Sequence, residues 1–211
     1  MPGVDRARTG LSGVLAALPV QLGGAAGTLA ALHPHGPAVA TSLARALRLA
    51  DAVQWHTERT RIGELAGALA VAAGACAKPA TDVVLLAGTE LGEVSEAAPG
   101  DSSSMPHKRN PIAAITARGA ARRAPGLAAT LLAAADHEHQ RAAGPWHAEW
   151  QTLTDLLCAT GGAAARLRTS LEGLAVHPDR MAANLALTSA TTESVGHAPD
   201  LVDHLLTDRP T

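Results

Sequence analysis

From Trp150 onward, stripe positions recur three and four residues apart at Leu153, Leu157, Thr160, Ala164, Leu167 and Leu171. That spacing lays one face along a helix and predicts a bundle helix over 150–171. A second stripe, Ile62, Leu65, Leu69, Ala72 and Cys76, predicts a helix capped by Thr57 or Thr60 and ended by Lys78-Pro79. A third helix, opened at Thr81, carries Val84, Ala87, Leu91 and Val94 on one face, with Glu90, Glu93 and Glu96 on the polar side. Pro37 opens a helix with Val39, Leu43, Ala46 and Ala50 aligned. The Ala-rich run over 111–135 predicts a helix with a kink or break at Pro125-Gly126. His177-Pro178 opens a short helix bearing Met181 and Leu185. The small residues over 20–29 keep a helical rhythm and predict a closely packed bundle helix, followed by a turn at His33-Pro34-His35-Gly36. The fold class is all-α, a bundle of long helices.

Composition agrees. Of 211 residues, 47% are hydrophobic and 1% aromatic, with no Phe or Tyr, so Ala, Leu and Val must fill the core. Such residues favour close-packed helices over a sheet. The net charge of −2 and the lack of long basic runs exclude nucleic acid as an expected partner. The longest apolar run, Leu65 to Cys76, is too short for a bilayer, and residues 1–8 lack the apolar segment of a signal peptide. A cytoplasmic protein without a membrane partner is expected. Cys76 and Cys158 fall far apart within apolar helical patterns, make no metal or redox motif, and are read as core residues.

The chemistry concentrates in Gly100-Asp101-Ser102-Ser103-Ser104-Met105-Pro106-His107-Lys108-Arg109-Asn110-Pro111. Asn110 is a good N-cap and Pro111 suits the first helical position. The stretch therefore delivers His107, Lys108 and Arg109 to a helix N-terminus, which already favours an anion. The hydroxyls of Ser102, Ser103 and Ser104 sit beside those cations and can exchange protons. An anion site beside hydroxyl groups suits a carboxylate substrate. Glu96 is read as solvated.

This loop resembles the Gly-Ser-Ser-x-Met-Pro-x-Lys-x-Asn signature of the aspartase/fumarase superfamily, with Asp101 where the signature has Gly. Three further stretches are similar to its 3-carboxy-cis,cis-muconate cycloisomerase branch. They are Gly23-Gly24-Ala25-Ala26-Gly27, Trp55-His56-Thr57-Glu58-Arg59, and His139-Gln140-Arg141-Ala142-Ala143-Gly144-Pro145-Trp146-His147-Ala148-Glu149-Trp150. The branch pattern has Asp at Thr60 and Glu at Gln140. Thr89-Glu90-Leu91-Gly92-Glu93-Val94 also matches a family pattern, so Glu90 and Glu93 are expected to contact the site or orient the loop.

The resemblance implies an all-α enzyme that associates as a tetramer, takes a small polycarboxylate and needs no cofactor or metal. Each active site draws segments from three subunits. The branch reaction is an intramolecular addition of a carboxylate to a double bond in aromatic catabolism. Ser102 is then the acid/base group, with Ser103 and Lys108 completing the catalytic set. Ser104, Met105, His107, Arg109, Asn110, Arg141, Trp146 and His147 bind substrate. The resemblance covers about residues 18–188, under half of a family member; after Thr188 it fails for the helices expected next, and Ser194 to Leu205 is similar to the family's terminal helix. A partial bundle over 1–188 with a helical tail over 189–211 is expected, weakly active or inactive alone. Two alternatives are an adenylosuccinate lyase-like or other superfamily lyase, and a non-catalytic helical oligomerisation remnant.

Overall fold

A computed structural model of the chain describes residues 2–101, 104–105, 109–140, 142–187 and 195–207. The elements in order are α1 (Pro2–Ala17), a 3-10 turn (Ala30–Leu32), α2 (Gly36–Leu47), α3 (Thr60–Leu86), β1 (Val94–Ser95), α4 (Ile112–Ala133), α5 (Pro145–Leu171), β2 (Ala175–Val176), α6 (Pro178–Ala186) and α7 (Ala198–Thr207). Among the described residues the fold is all-α, apart from one two-stranded antiparallel sheet that sets Val94 against Val176 and Ser95 against Ala175, and two isolated bridges.

The chain divides into two compact units, and the division falls inside each long helix. One unit holds 1–6, 73–122 and 161–211. Its core is small: Ala73, Cys76, Ala80, Val83, Val94, Ala114, Ala117, Ala121, Ala163 and Leu167 are buried. Below α3 the chain turns at Gly92, whose φ of 60° suits only glycine without strain. α6 is tied to that turn. Arg180 Nε–H donates to the Leu91 carbonyl at 2.9 Å, and Asn184 Nδ2–H donates to Glu93 Oε1 at 2.8 Å. The second unit holds 7–72 and 123–160. Ile62, Leu65, Ala66, Leu69, Ala124, Ala128, Leu131, Leu156 and Ala159 form its core. There the Thr160 hydroxyl donates to the Leu69 carbonyl at 3.2 Å, joining α5 to α3.

Several expectations shift. α3 does not end at Lys78-Pro79 but runs on to Leu86. A proline removes one N–H and crowds the carbonyl four residues back, here that of Ala75; the small Gly74 and Ala75 leave room for the ring. The Lys78–Asp82 ion pair also spans the site. The extension gives α3 the length and mean hydropathy (1.5) of a membrane span. Its buried positions, Ile62, Leu65, Ala66, Leu69, Ala73, Cys76, Ala80 and Val83, nevertheless recur every three or four residues, as on a one-sided core helix. The run over 81–94 is not one helix; Gly88 and Gly92 break it and Val94 becomes strand. Residues 20–29 are turns rather than a bundle helix, with Gly24 and Gly27 at φ 71° and 74°. α4 passes through Pro125-Gly126 without a break. The α5 seam is rotated from the expected stripe: Leu156, Ala159, Thr160, Ala163, Leu167 and Ser170 are buried, while Leu157 is exposed. On α2 the buried positions are Gly36, Ala40 and Ala44 rather than Val39, Leu43 and Ala46. On α2 the rotation follows the smallest side chains, which let backbones approach most closely; on α5 two leucines, Leu156 and Leu167, are buried among the small residues. Cys158 is exposed, contrary to expectation; Cys76 is buried, and burial pushes its thiol pKa up.

Candidate functional site

The signature stretch lies in the first unit. Its two ends are paired: Gly100 and Asn110 exchange N–H···O=C bonds, each 2.8 Å long. A Cβ on Gly100 would lie 2.2 Å from Ile112 Cγ1, so this position requires glycine. Inside that neck, Arg109 Nη1–H donates to Asp101 Oδ1 at 2.5 Å, and both side chains are largely exposed. Ser104 and Met105 are exposed. Ser102, Ser103, His107 and Lys108 lie outside the described residues, as does Arg141.

The helix N-terminus beyond the neck is not free for a ligand. Glu96, read from sequence as solvated, is 5% exposed. Its carboxylate accepts the N–H groups of Ala113 and Ala114, at 3.1 and 2.8 Å. The first four-residue helical bond of α4 closes on the Pro111 carbonyl, so Asn110 precedes the cap position rather than filling it. Glu96 thus caps α4 from outside the helix and satisfies the donors that the sequence reserved for substrate.

The second unit contains a cavity of about 310 Å³ lined by Gln21, Leu22, Gly23, Gly24, His56, Thr57, Arg59, His137, Gln140 and Trp146. Three stretches distant in sequence build it. The Gln21–Gly24 turn is held to 54–56: Leu22 N–H donates to Gln54 Oε1 at 2.8 Å and Trp55 N–H to Gln21 Oε1 at 3.3 Å. Gln21 Nε2 lies 3.3 Å from His56 Nδ1, and the Trp55 indole N–H donates to the Val20 carbonyl at 3.2 Å. Arg59 then links this wall to α5. Its guanidinium donates to both oxygens of Glu149, at 2.8 and 2.5 Å, and lies 4.9 Å from the Trp55 ring centroid. Arg59 and Glu149 are 9% and 6% exposed, so this is a buried, bidentate pair. His137 Nε2 stands 3.4 Å from Glu149 Oε1. Trp146 meets His147 and Trp150 edge-on, with centroids 5.5 and 5.0 Å away. Beside the cavity, the Ala143 N–H holds the Glu138 carboxyl below its usual range.

Of the expected site residues, Trp146 lines the cavity and His147 stacks beside it, while Ser104, Met105, Arg109 and Asn110 belong to the other unit. Gln21, His56, Arg59, His137 and Glu149 were not among the expected site residues. The Trp55–Arg59 motif was the available signal for His56 and Arg59, and the His139–Trp150 stretch for Glu149. Among the described residues no cluster of three His, Cys, Asp or Glu side chains could hold a metal ion.

A helical scaffold carrying this neck and this cavity defines a class, and comparison with known proteins agrees with it. Residues 5–126 match the lyase family model, and the chain belongs to that family, within the fumarase/aspartase superfamily. It is 49% identical over 193 residues to 3-carboxy-cis,cis-muconate cycloisomerase of Bradyrhizobium diazoefficiens, covering 85% of this chain and 43% of the relative. It is 46% identical over 197 residues to nitrosuccinate lyase of Streptomyces davaonensis, covering 88% of this chain and 42% of that enzyme. The crystal structure of 3-carboxy-cis,cis-muconate lactonizing enzyme from Pseudomonas putida superposes with a TM-score of 0.76 at 44% identity, over 88% of this chain and 42% of that one. The chain therefore spans about two fifths of the length of these relatives.

Proposed function

We propose that the protein is a cycloisomerase-type lyase acting on a small polycarboxylate such as 3-carboxy-cis,cis-muconate. The observation that carries this reading is convergence. The three stretches that resemble the cycloisomerase branch, around Gly23, His56 and Trp146, line one cavity although they are far apart in sequence. In the proposed reaction a substrate carboxylate oxygen forms a C–O bond at one alkene carbon as the C=C π bond breaks, and the π electron pair takes up a proton at the neighbouring carbon. The product is an isomeric lactone, so no co-reactant is consumed. Ser102 acts as the acid/base group, with Ser103 beside it; Lys108 and Asn110 stabilise the charge that spreads from the developing carbanion onto the carboxylate attached to that carbon. Ser104, Met105, His107, Arg109, Arg141, Trp146 and His147 contribute substrate contacts. Arg109 must leave Asp101 to do so, a small demand for an exposed pair. No cofactor is assigned. Self-association, as a tetramer, and a cytoplasmic location complete the proposal.

A second reading, elimination from a substituted succinate, is favoured by the comparable identity to nitrosuccinate lyase. Parallel turnover measurements separate the two. Purified protein is incubated with 3-carboxy-cis,cis-muconate and with nitrosuccinate, and products are followed by NMR. Slow lactone formation, still outpacing nitrosuccinate elimination, is expected of a chain spanning about two fifths of its relatives' length; the reverse order would replace the first reading by the second, and neither product would overturn both.

A further inference from the structure

The hydrogen bonds of Gln21 fix where His56 carries its proton. The Trp55 backbone N–H donates to Gln21 Oε1, which makes that atom the carboxamide oxygen. The other end of the amide, 3.3 Å from His56 Nδ1, is therefore an NH₂ group. An NH₂ donates and cannot accept, so Nδ1 is the lone-pair nitrogen, and the neutral ring bears its hydrogen on Nε2. That Nε2 is buried in a cavity-lining residue and has no hydrogen-bond partner among the described residues. A buried N–H without an acceptor is costly, and such groups call for an explanation.

The ring is held where it is by backbone. His56 adopts φ 31°, a conformation that side-chain-bearing residues rarely take. A Cβ on Gly23 would come within 3.1 Å of Nδ1, and one on Gly27 within 3.3 Å of the ring. Two glycines thus let the imidazole lie directly against the Gln21–Gly27 turn. Arg59 is paired with Glu149, while His137 Nε2, 3.4 Å from Glu149 Oε1, lines the same cavity and likewise has no hydrogen-bond partner among the described residues. Because Arg59 neutralises Glu149, an incoming acceptor at His56 meets no unpaired carboxylate among these groups.

We infer that His56 is a substrate-binding residue whose Nε2–H, presented by Gln21, donates to a carboxylate oxygen of the ligand in this cavity. The chemical class of the ligand rests on the polycarboxylate reading above; the donor assignment rests on geometry alone. Long-range ¹H–¹⁵N NMR of the neutral imidazole reads the tautomer, and titration with propane-1,2,3-tricarboxylate reads the contact. The expected result is an Nε2–H tautomer in the free protein and ligand-dependent movement of the His56 Nε2 resonance. His56→Leu should weaken binding about 10-fold or more, the usual effect of losing a donor to a charged acceptor, and His56→Gln should restore part of it. An Nδ1–H tautomer overturns the inference, as does saturable binding that leaves His56 unmoved; the latter spares the polycarboxylate reading. Absence of any binding at millimolar ligand overturns both. If His56→Leu does not fold, the wild-type tautomer and titration decide alone.

Discussion

Arg59 and Glu149 meet across 90 residues of sequence with almost no exposure to water. Each charge is tolerable only because the other is present. Removing one leaves the other buried without a counter-charge, so Glu149→Ala should destabilise the protein by about 3–5 kcal/mol, measured by chemical denaturation. The double change Arg59→Met with Glu149→Leu should cost much less, because no charge is then stranded. Glu58 makes an exposed counterpart at the start of α3. It accepts from the Thr60 hydroxyl and from the Thr60 N–H, and the hydroxyl contact leads in holding its carboxyl below the usual range. A depressed carboxyl stabilises the fold above its unfolded-state pKa and loses that contribution as pH falls through the folded-state value. The protection factors of amides in the first turn of α3, taken against the intrinsic exchange rate at each pH, should accordingly fall in acid, and Glu58→Gln should abolish that fall. Glu58 and Arg59 both stood within the Trp55–Arg59 motif, but only one partner was near in sequence: Thr60 is two residues from Glu58, whereas Glu149 reaches Arg59 only through the fold.

Helix ends and seams were legible to different degrees. Stripe spacing located α3, α5 and α6, since apolar residues three and four apart have few other uses. Rotation of the stripe was not legible, because the core is filled by Ala rather than Leu: Ala66, Ala73, Ala80, Ala114, Ala117, Ala124 and Ala163 are wholly buried. An Ala-rich chain marks its buried face weakly in hydropathy, and close approach decides the face instead. The α4 N-terminus shows the same difficulty in polar form. Asn110-Pro111 looked like a self-sufficient cap, yet Glu96 supplies the acceptors from 17 and 18 residues away. Glu96→Ala should therefore cost about 1–2 kcal/mol in thermal or denaturant unfolding, with Glu96→Gln less damaging because it retains one acceptor. If Glu96→Ala left stability unchanged, the capping role would be wrong.

At the scale of the whole chain, the class of protein was the most legible feature and the assembly of the site the least. The signature stretch and the Trp146–Trp150 segment pointed to a superfamily and a branch, and similarity to known lyases agrees with both. The cavity was not foreseen as one place, since Gly23, His56 and Trp146 are joined only by folding. Long helices leave Val71, Leu85, Leu132 and Trp150 more than half exposed. Apolar area of this kind favours burial against further protein. Sedimentation velocity should show self-association that increases with concentration, and a monomer at every concentration would contradict the proposed assembly.

The central claim, that this chain is built to hold a polycarboxylate, is tested most directly by calorimetric titration with 3-carboxy-cis,cis-muconate. Saturable one-site binding is predicted, at least about 10-fold tighter than that of a monocarboxylate, since each added charged hydrogen bond contributes on the order of 1.5–3 kcal/mol. Lys108→Ala should weaken it by a similar factor. No saturable heat at millimolar ligand, or equal affinity for the monocarboxylate, would contradict the account.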